Sequence, residues 1–259
     1  RDAIDTLVTY KRDKFLFIDT AGIRRRGKIE RGVERFSLSR TQEAIHRCDL
    51  AVVLIDASEG LVEQDTKIIG TVLRAKKACL ILVNKWDLHQ DGSPETERLT
   101  SELERRLAFI PFASTLFISA LKKTGLRAVF REITPIIEGF SRRIPTGPLN
   151  RAFEKAVSSH PPPQAGSKKP VRLNFITQTG TKPPAFVIFS NRPEALKQPY
   201  IRYLENEFRS LFSFPGSPLV FHIRKKTGEP PVRARRPKNR EKLDKKTHNR
   251  PNKRRKKNN

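Results

Sequence analysis

Three clusters of polar residues stand directly after short apolar runs in this chain. Asp19-Thr20-Ala21-Gly22 follows Phe15-Leu16-Phe17-Ile18. A carboxylate at such a strand end can hold Mg²⁺ through its waters. A glycine three residues later lets a backbone N–H approach a phosphate with no side chain in the way. Asn84-Lys85-Trp86-Asp87 follows Ala78–Val83 and reads N-K-x-D. An ionised Asp is purely an acceptor, so it can take both the N1–H and the exocyclic amine of guanine and reject adenine. The Asn suits the base edge and neighbouring loops, and the Lys stem suits the base plane. Ser119-Ala120 follows Thr115–Ile118, where a backbone N–H can meet the guanine O6. D-x-x-G alone also describes an ordinary turn after a buried strand. Three strand ends in the order phosphate, base, base make a far more specific set.

The elements that must hold these groups are legible as apolar runs. Phe15–Ile18, Leu50–Ile55, Ala78–Val83 and Thr115–Ile118 are short and unbroken, as expected of strands buried on both faces of a parallel sheet. Ile4–Tyr10 precedes the first of them across Lys11-Arg12-Asp13, which predicts an antiparallel hairpin. Helices are expected over Val33–Arg47, Gln64–Ala75, Glu95–Phe109 and Leu126–Phe140, and Gly22–Gly32 should be a mobile basic loop. Strands alternating with helices imply a doubly wound α/β sheet with right-handed crossovers, which places ligands at the strands' carboxyl ends. Beyond Ile144-Pro145-Thr146-Gly147-Pro148 the pattern becomes a small α+β unit. It has helices at Leu149–Ser159 and Pro199–Phe212, and strands at Val171–Thr177, Ala185–Ser190 and Leu219–Ile223. The expected division is residues 1–145, 149–226 and a basic tail at 229–259, too poor in apolar residues to offset its ordering entropy.

The chain has 259 residues, 36% of them hydrophobic, and a formal net charge of +26. Residues 229–259 hold 14 Lys/Arg against 3 Asp/Glu, a net of +11, which leaves +15 for residues 1–228. Such a surplus points to a polyanionic partner. RNA is favoured, since no recognition-helix or zinc-finger pattern argues for DNA. Cys48 and Cys79 are too few for a disulfide framework, and with His46 they lack metal-ligand spacing. No run is long enough to span a membrane, so a reducing, cytoplasmic setting is expected. With no Met in the chain, a fragment of a longer protein is also expected.

D-T-A-G, N-K-W-D and S-A in this order resemble a translation-factor-class GTPase domain. The segments R-D-A-I-D-T, D-T-A-G-I-R-R-R-G-K-I, A-I-H-R-C-D and I-D-A-S-E-G resemble the second G domain of the Der (EngA) family. R-L-N-F-I-T-Q-T-G-T-K-P-P-A-F-V-I-F and Y-I-R-Y-L-E-N-E-F-R resemble that family's KH-like domain. The resemblance covers roughly residues 1–226 and implies GTP hydrolysis in large ribosomal subunit assembly, with rRNA as partner and the protein a monomer. It also implies GTP or GDP and Mg²⁺ as ligands, with a monovalent cation as a further candidate. Asp19 would bind Mg²⁺ through water, and Gly22 would meet the γ-phosphate. Thr20, Ala21 and Ile23 would line that loop. Asn84, Lys85, Trp86 and Asp87 would form the guanine-reading loop above Ser119 and Ala120.

Two departures qualify the resemblance. Ile23 stands where many GTPases carry a water-orienting Gln, so no catalytic side chain is assignable and slow intrinsic hydrolysis is expected. No G-x-x-x-x-G-K-[ST] phosphate loop precedes Asp19. Gly22–Lys28 fits G-x-x-x-x-G-K but ends in Ile29, lacking the hydroxyl that Mg²⁺ requires. Weak GTP binding or none by these residues alone is therefore expected, and the alternative reading is a non-enzymatic RNA- or ribosome-binding module with a vestigial G domain. Residues 149–228 contain no G-x-x-G, so KH-type backbone clamping is not expected. Phe175, Phe186, Phe189 and Phe221 are expected in the core.

Overall fold

The computed structural model describes residues 5–18, 41–90, 92–163 and 170–225. Asp19–Ile23, most of the Val33–Arg47 helix, the loop before it and the basic tail lie outside the described residues.

β1 (Asp5–Tyr10) and β2 (Asp13–Ile18) form the expected antiparallel hairpin, with Tyr10 opposite Asp13. Lys11 turns the chain at φ 55°. Burial on both faces of β2 is not found. Leu16 is 59% exposed, Phe17 40% and Leu7 on β1 62%. The hairpin is a two-stranded sheet by itself among the described residues, so no neighbouring strand extends its core. One face alone is covered. Tyr10 stacks on Phe130 at 4.4 Å between ring centroids, and Phe15 lies 5.7 Å from the same ring.

β3 (Leu50–Asp56), β4 (Ala78–Asn84) and β5 (Ser114–Phe117) form a parallel sheet in the order β3-β4-β5. α1 occupies 41–47 of the described chain. α2 (Glu63–Arg74) and α3 (Pro94–Leu107) follow β3 and β4, and α4 (Leu126–Ser141) follows β5. Alternation along β4 sorts its side chains between two cores. Cys79, Ile81 and Val83 meet Ile69, Val72, Leu103 and Leu107, while Ala78, Leu80 and Leu82 meet Val129, Ile133, Ile136 and Phe140 of α4. Helices on both faces explain why β4 reads as one apolar run.

α5 (Thr146–Ser159), β6 (Leu173–Gly180), β7 (Ala185–Ser190), α6 (Gln198–Phe212) and β8 (Val220–Lys225) build the second half. β7 is central, antiparallel to β6 and parallel to β8. Phe153, Ile176, Phe186, Ile188, Leu204 and Phe208 fill the core beneath the helices. Phe186 and Phe221 belong to that core as expected, whereas Phe175 and Phe189 do not. The reason is pleat parity. Phe175 neighbours the core residue Ile176, and Phe189 neighbours Ile188, so both point to the opposite face.

Side chains and backbone join the halves. Gln178 accepts from the Ile144 amide at 2.8 Å and donates to the Arg142 carbonyl at 2.8 Å. The Cys79 amide donates to Gly216 O at 2.8 Å, and the Arg209 guanidinium lies 5.5 Å from the Phe112 ring centroid.

Candidate nucleotide-binding site

The candidate site is made where β3, β4 and β5 end together. Parallel register places Asp56 beside Asn84, and Val83 beside Phe117. Past Asn84 the chain must turn sharply, and Lys85 takes a left-handed conformation at φ 65°. A 3-10 turn over Trp86–Leu88 then brings Asp87 back toward the loop after β5. The Trp86 amide donates to Ile118 O at 3.1 Å, and the Trp86 ring packs on Phe117 at 4.1 Å between centroids. Trp86 thus anchors the loop to the core beneath it.

Asn84 Oδ1 accepts from the Ala120 amide at 2.9 Å. This ties the N-K-x-D turn to the Ser119-Ala120 loop, as the sequence suggests for an Asn reaching a neighbouring loop. The Ser119 amide is paired with Thr124 O at 3.1 Å. Both amides considered for guanine O6 are therefore engaged within the protein. Contact from Ala120 to O6 requires its bond to Asn84 to be shared or exchanged.

Ser119 is buried and serves as a hub. Its Oγ accepts from the Lys122 amide at 3.0 Å and hydrogen-bonds the Asp87 carboxylate. The Ser119 hydroxyl, foremost, holds the Asp87 carboxyl below its ordinary value; burial opposes this, and Lys122 assists at 3.9 Å. Asp87 is therefore an anion at neutral pH, the acceptor-only state that reading two guanine N–H donors demands. Gly125 closes the turn at φ 75°. A Cβ there would lie 2.8 Å from both Ile118 Cγ2 and Phe117 O, so the turn into α4 admits no larger residue without displacement.

Lys85 does not stand alone above a base plane. Its Nζ meets Asp56 Oδ2 at 2.6 Å, which raises the Lys85 pKa. Burial opposes ionisation of Asp56, but Lys85 together with the Ser58 hydroxyl (2.6 Å) and amide (3.0 Å) holds its carboxyl below the usual range. Asp56 and Ser58 are members of this site that sequence reasoning did not single out. The available signal was that Leu50–Ile55 ends in a carboxylate, like Phe15–Ile18. Asn84, Lys85, Trp86, Asp87, Ser119 and Ala120 are thus brought together, while Asp19, Thr20, Ala21, Gly22 and Ile23 lie outside the described residues. Among the described residues no group of three or more His, Cys, Asp or Glu is placed to hold a metal ion. No described helix is long and apolar enough to cross a membrane.

Comparison with known proteins gives this site its context. Residues 1–85 match the family model described as a 50S ribosome-binding GTPase. Residues 143–224 match that described as the KH-domain-like C-terminal part of EngA bacterial GTPase enzymes. GTPase Der of Caldanaerobacter subterraneus subsp. tengcongensis is 43% identical over 226 residues, 87% of this chain and 51% of that protein. GTPase Der of Lachnoclostridium phytofermentans is 43% identical over 228 residues, with the same shares covered. Era, in complex with MgGDPNP and a segment of 16S ribosomal RNA, aligns at 16% identity with a TM-score of 0.44, covering 87% of this chain and 80% of that one. The chain spans about half the length of the curated relatives it matches. Over 87% of its own length the chain is therefore a homologue of the GTPase Der proteins, and it carries the KH-domain-like C-terminal unit of the EngA family.

Proposed function

We propose that this chain supplies the guanine-reading part of a GTP-hydrolysing protein that acts on the ribosome. The observation that carries the reading is the Asn84–Ala120 and Asp87–Ser119 clamp, which fixes an ionised carboxylate at the joint end of two parallel strands. Residues 1–145 form G-domain sequence and residues 149–226 a KH-like domain. Asn84, Lys85, Asp87, Ser119 and Ala120 hold the base, with Trp86 as their anchor. Asp19–Ile23 face the phosphates, Asp19 with Mg²⁺ through water. With Ile23 in place of a Gln, the attacking water is oriented by backbone, a monovalent cation or a partner, and intrinsic turnover is slow.

The partner is RNA of the large ribosomal subunit, met during its assembly in the cytoplasm by a monomeric protein. Support comes from the net charge of +26 and from the match of residues 1–85 to a ribosome-binding GTPase model. Titration of the intact protein with fluorescent GDP and ADP tests the nucleotide reading. Preference for GDP by at least about 100-fold is expected from a base site whose two acceptor contacts adenine cannot satisfy. Equal affinities would remove the base-reading role.

A further inference from the structure

The sheet of the second half has two unlike faces. One carries Ile176, Phe186 and Ile188 into the core. The other carries a row that runs across all three strands. Phe175 on β6 pairs with Phe189 on β7, and Phe189 pairs with Arg224 on β8. The next row is Thr177, Val187 and His222. The Phe175 and Phe189 rings stack at 4.3 Å between centroids with 20° between planes. Both rings are half-buried, and His222 and Arg224 are exposed. None of these six residues is a carboxylate. Residues 143–225 hold 13 Lys/Arg against 4 Asp/Glu, a net of +9. Lys225, one residue beyond Arg224, pairs with Ser190 and falls on the core side by the same parity, so Arg224 is the cation of this row.

We propose that this outer sheet face is a single-stranded RNA platform, on which Phe175 and Phe189 stack an unpaired base while Arg224 meets a backbone phosphate. The proposal rests on RNA being the partner and adds the place and mode of contact. A flat aromatic pair accepts any base, because every base offers a π-face. A guanidinium one strand away supplies the phosphate contact that an apolar pair lacks. The site needs no G-x-x-G loop, which this half does not contain. A duplex hides its base faces, so single strands are selected. A protein partner is the less favoured occupant, since the row pairs aromatic carbon with positive charge and holds no carboxylate.

The test uses the full chain and a short oligoadenylate carrying one 2-aminopurine, whose fluorescence is quenched on stacking. Quenching on binding is expected with the single strand and not with a duplex of equal length. Phe175→Leu and Phe189→Leu keep apolar volume but remove the π-face. Each is expected to abolish most of the quench and weaken binding about 10-fold, with an unchanged salt slope. Arg224→Gln is expected to keep the quench and lower the salt slope by about 0.7. Circular dichroism and GDP titration of the same samples report the fold and the nucleotide site separately. Full affinity and full quench in folded Phe175→Leu and Phe189→Leu proteins would overturn the platform, leaving the pair to sheet stability or a protein partner. Absence of any RNA binding at low salt would overturn the platform and the RNA partner together.

Discussion

Asn84 Oδ1 accepts the Ala120 amide at 2.9 Å across 36 residues of sequence, so the loop after β4 and the loop after β5 form one body. Asn84→Ala removes the acceptor, and water takes up the N–H of the exposed Ala120. Loss of about 0.5–1 kcal/mol in folding stability is expected from the lost hydrogen bond, read as a slightly lower urea midpoint. Guanine-nucleotide affinity should fall with it, by more than the same protein loses for a surface Ala substitution on α3. Unchanged midpoint and affinity would show that the two loops hold their places independently.

The Lys85–Asp56 pair sets a pH dependence. Asp56 has a folded-state carboxyl held below its ordinary value of 3.8, so its contribution to stability is present above that value. The contribution is lost as pH falls through the lowered value. Asp87 is shifted in the same direction by Ser119 and adds to the same acid limb. Asp56→Asn should therefore lower the urea midpoint at neutral pH by a small amount, because the pair is largely solvated, and leave the midpoint in acid nearly unchanged, which flattens the fall with acidification. An acid limb as steep as in the parent protein would contradict the assignment.

Gly216 holds the seam between the halves. It sits at φ 57°, its carbonyl accepts from Cys79, and a Cβ there would lie 2.7 Å from Ile136 Cγ1 and 2.9 Å from two further Ile136 carbons. Gly216→Ala is expected to cost about 2–3 kcal/mol through backbone strain and overpacking together. Differential scanning calorimetry should show a lower Tm, with the single transition broadening or splitting as the halves uncouple. A Tm within about a degree of the parent would mean that the loop yields freely.

Residues 229–259 add a net charge of +11 that needs no folded structure to meet phosphate. Their removal should weaken RNA binding at low salt and reduce the slope of log affinity against log salt. The 2-aminopurine quench, which reports the sheet face, should survive in the bound complex. An unchanged slope would show that the tail's charge does not reach the RNA.

Sequence periodicity revealed the elements well where burial was symmetric. Ala78–Asn84 reads as one apolar run because both its faces are covered, and the structure agrees. Phe15–Ile18 reads the same way but is half exposed, because its burial depends on which strand lies beside it, and composition does not encode a neighbour. Ala185–Phe189, a continuous A-F-V-I-F, hid its two faces for a related reason. With no polar residue to mark the pleat, only pairing with Ile176 and Phe175 tells Ile188 from Phe189. In the candidate site, the N-K-x-D and Ser-Ala residues were legible from type and order. The Asp56–Lys85 pair was not, since it arises from parallel register between β3 and β4 and from the left-handed turn at Lys85.

The central claim is that Asp87 reads guanine through two accepted hydrogen bonds, and exchanging its chemistry tests this most directly. Asp87→Asn replaces one acceptor oxygen with an amide donor, which suits xanthine, whose C2 carbonyl stands where guanine carries its amine. Competition titrations of the intact protein with GDP and XDP should show the preference inverting, guanine losing at least about 100-fold while xanthine gains. Equal loss of both nucleotides, or an Asp87→Asn protein that still prefers GDP, would contradict the assignment of Asp87 as the base reader.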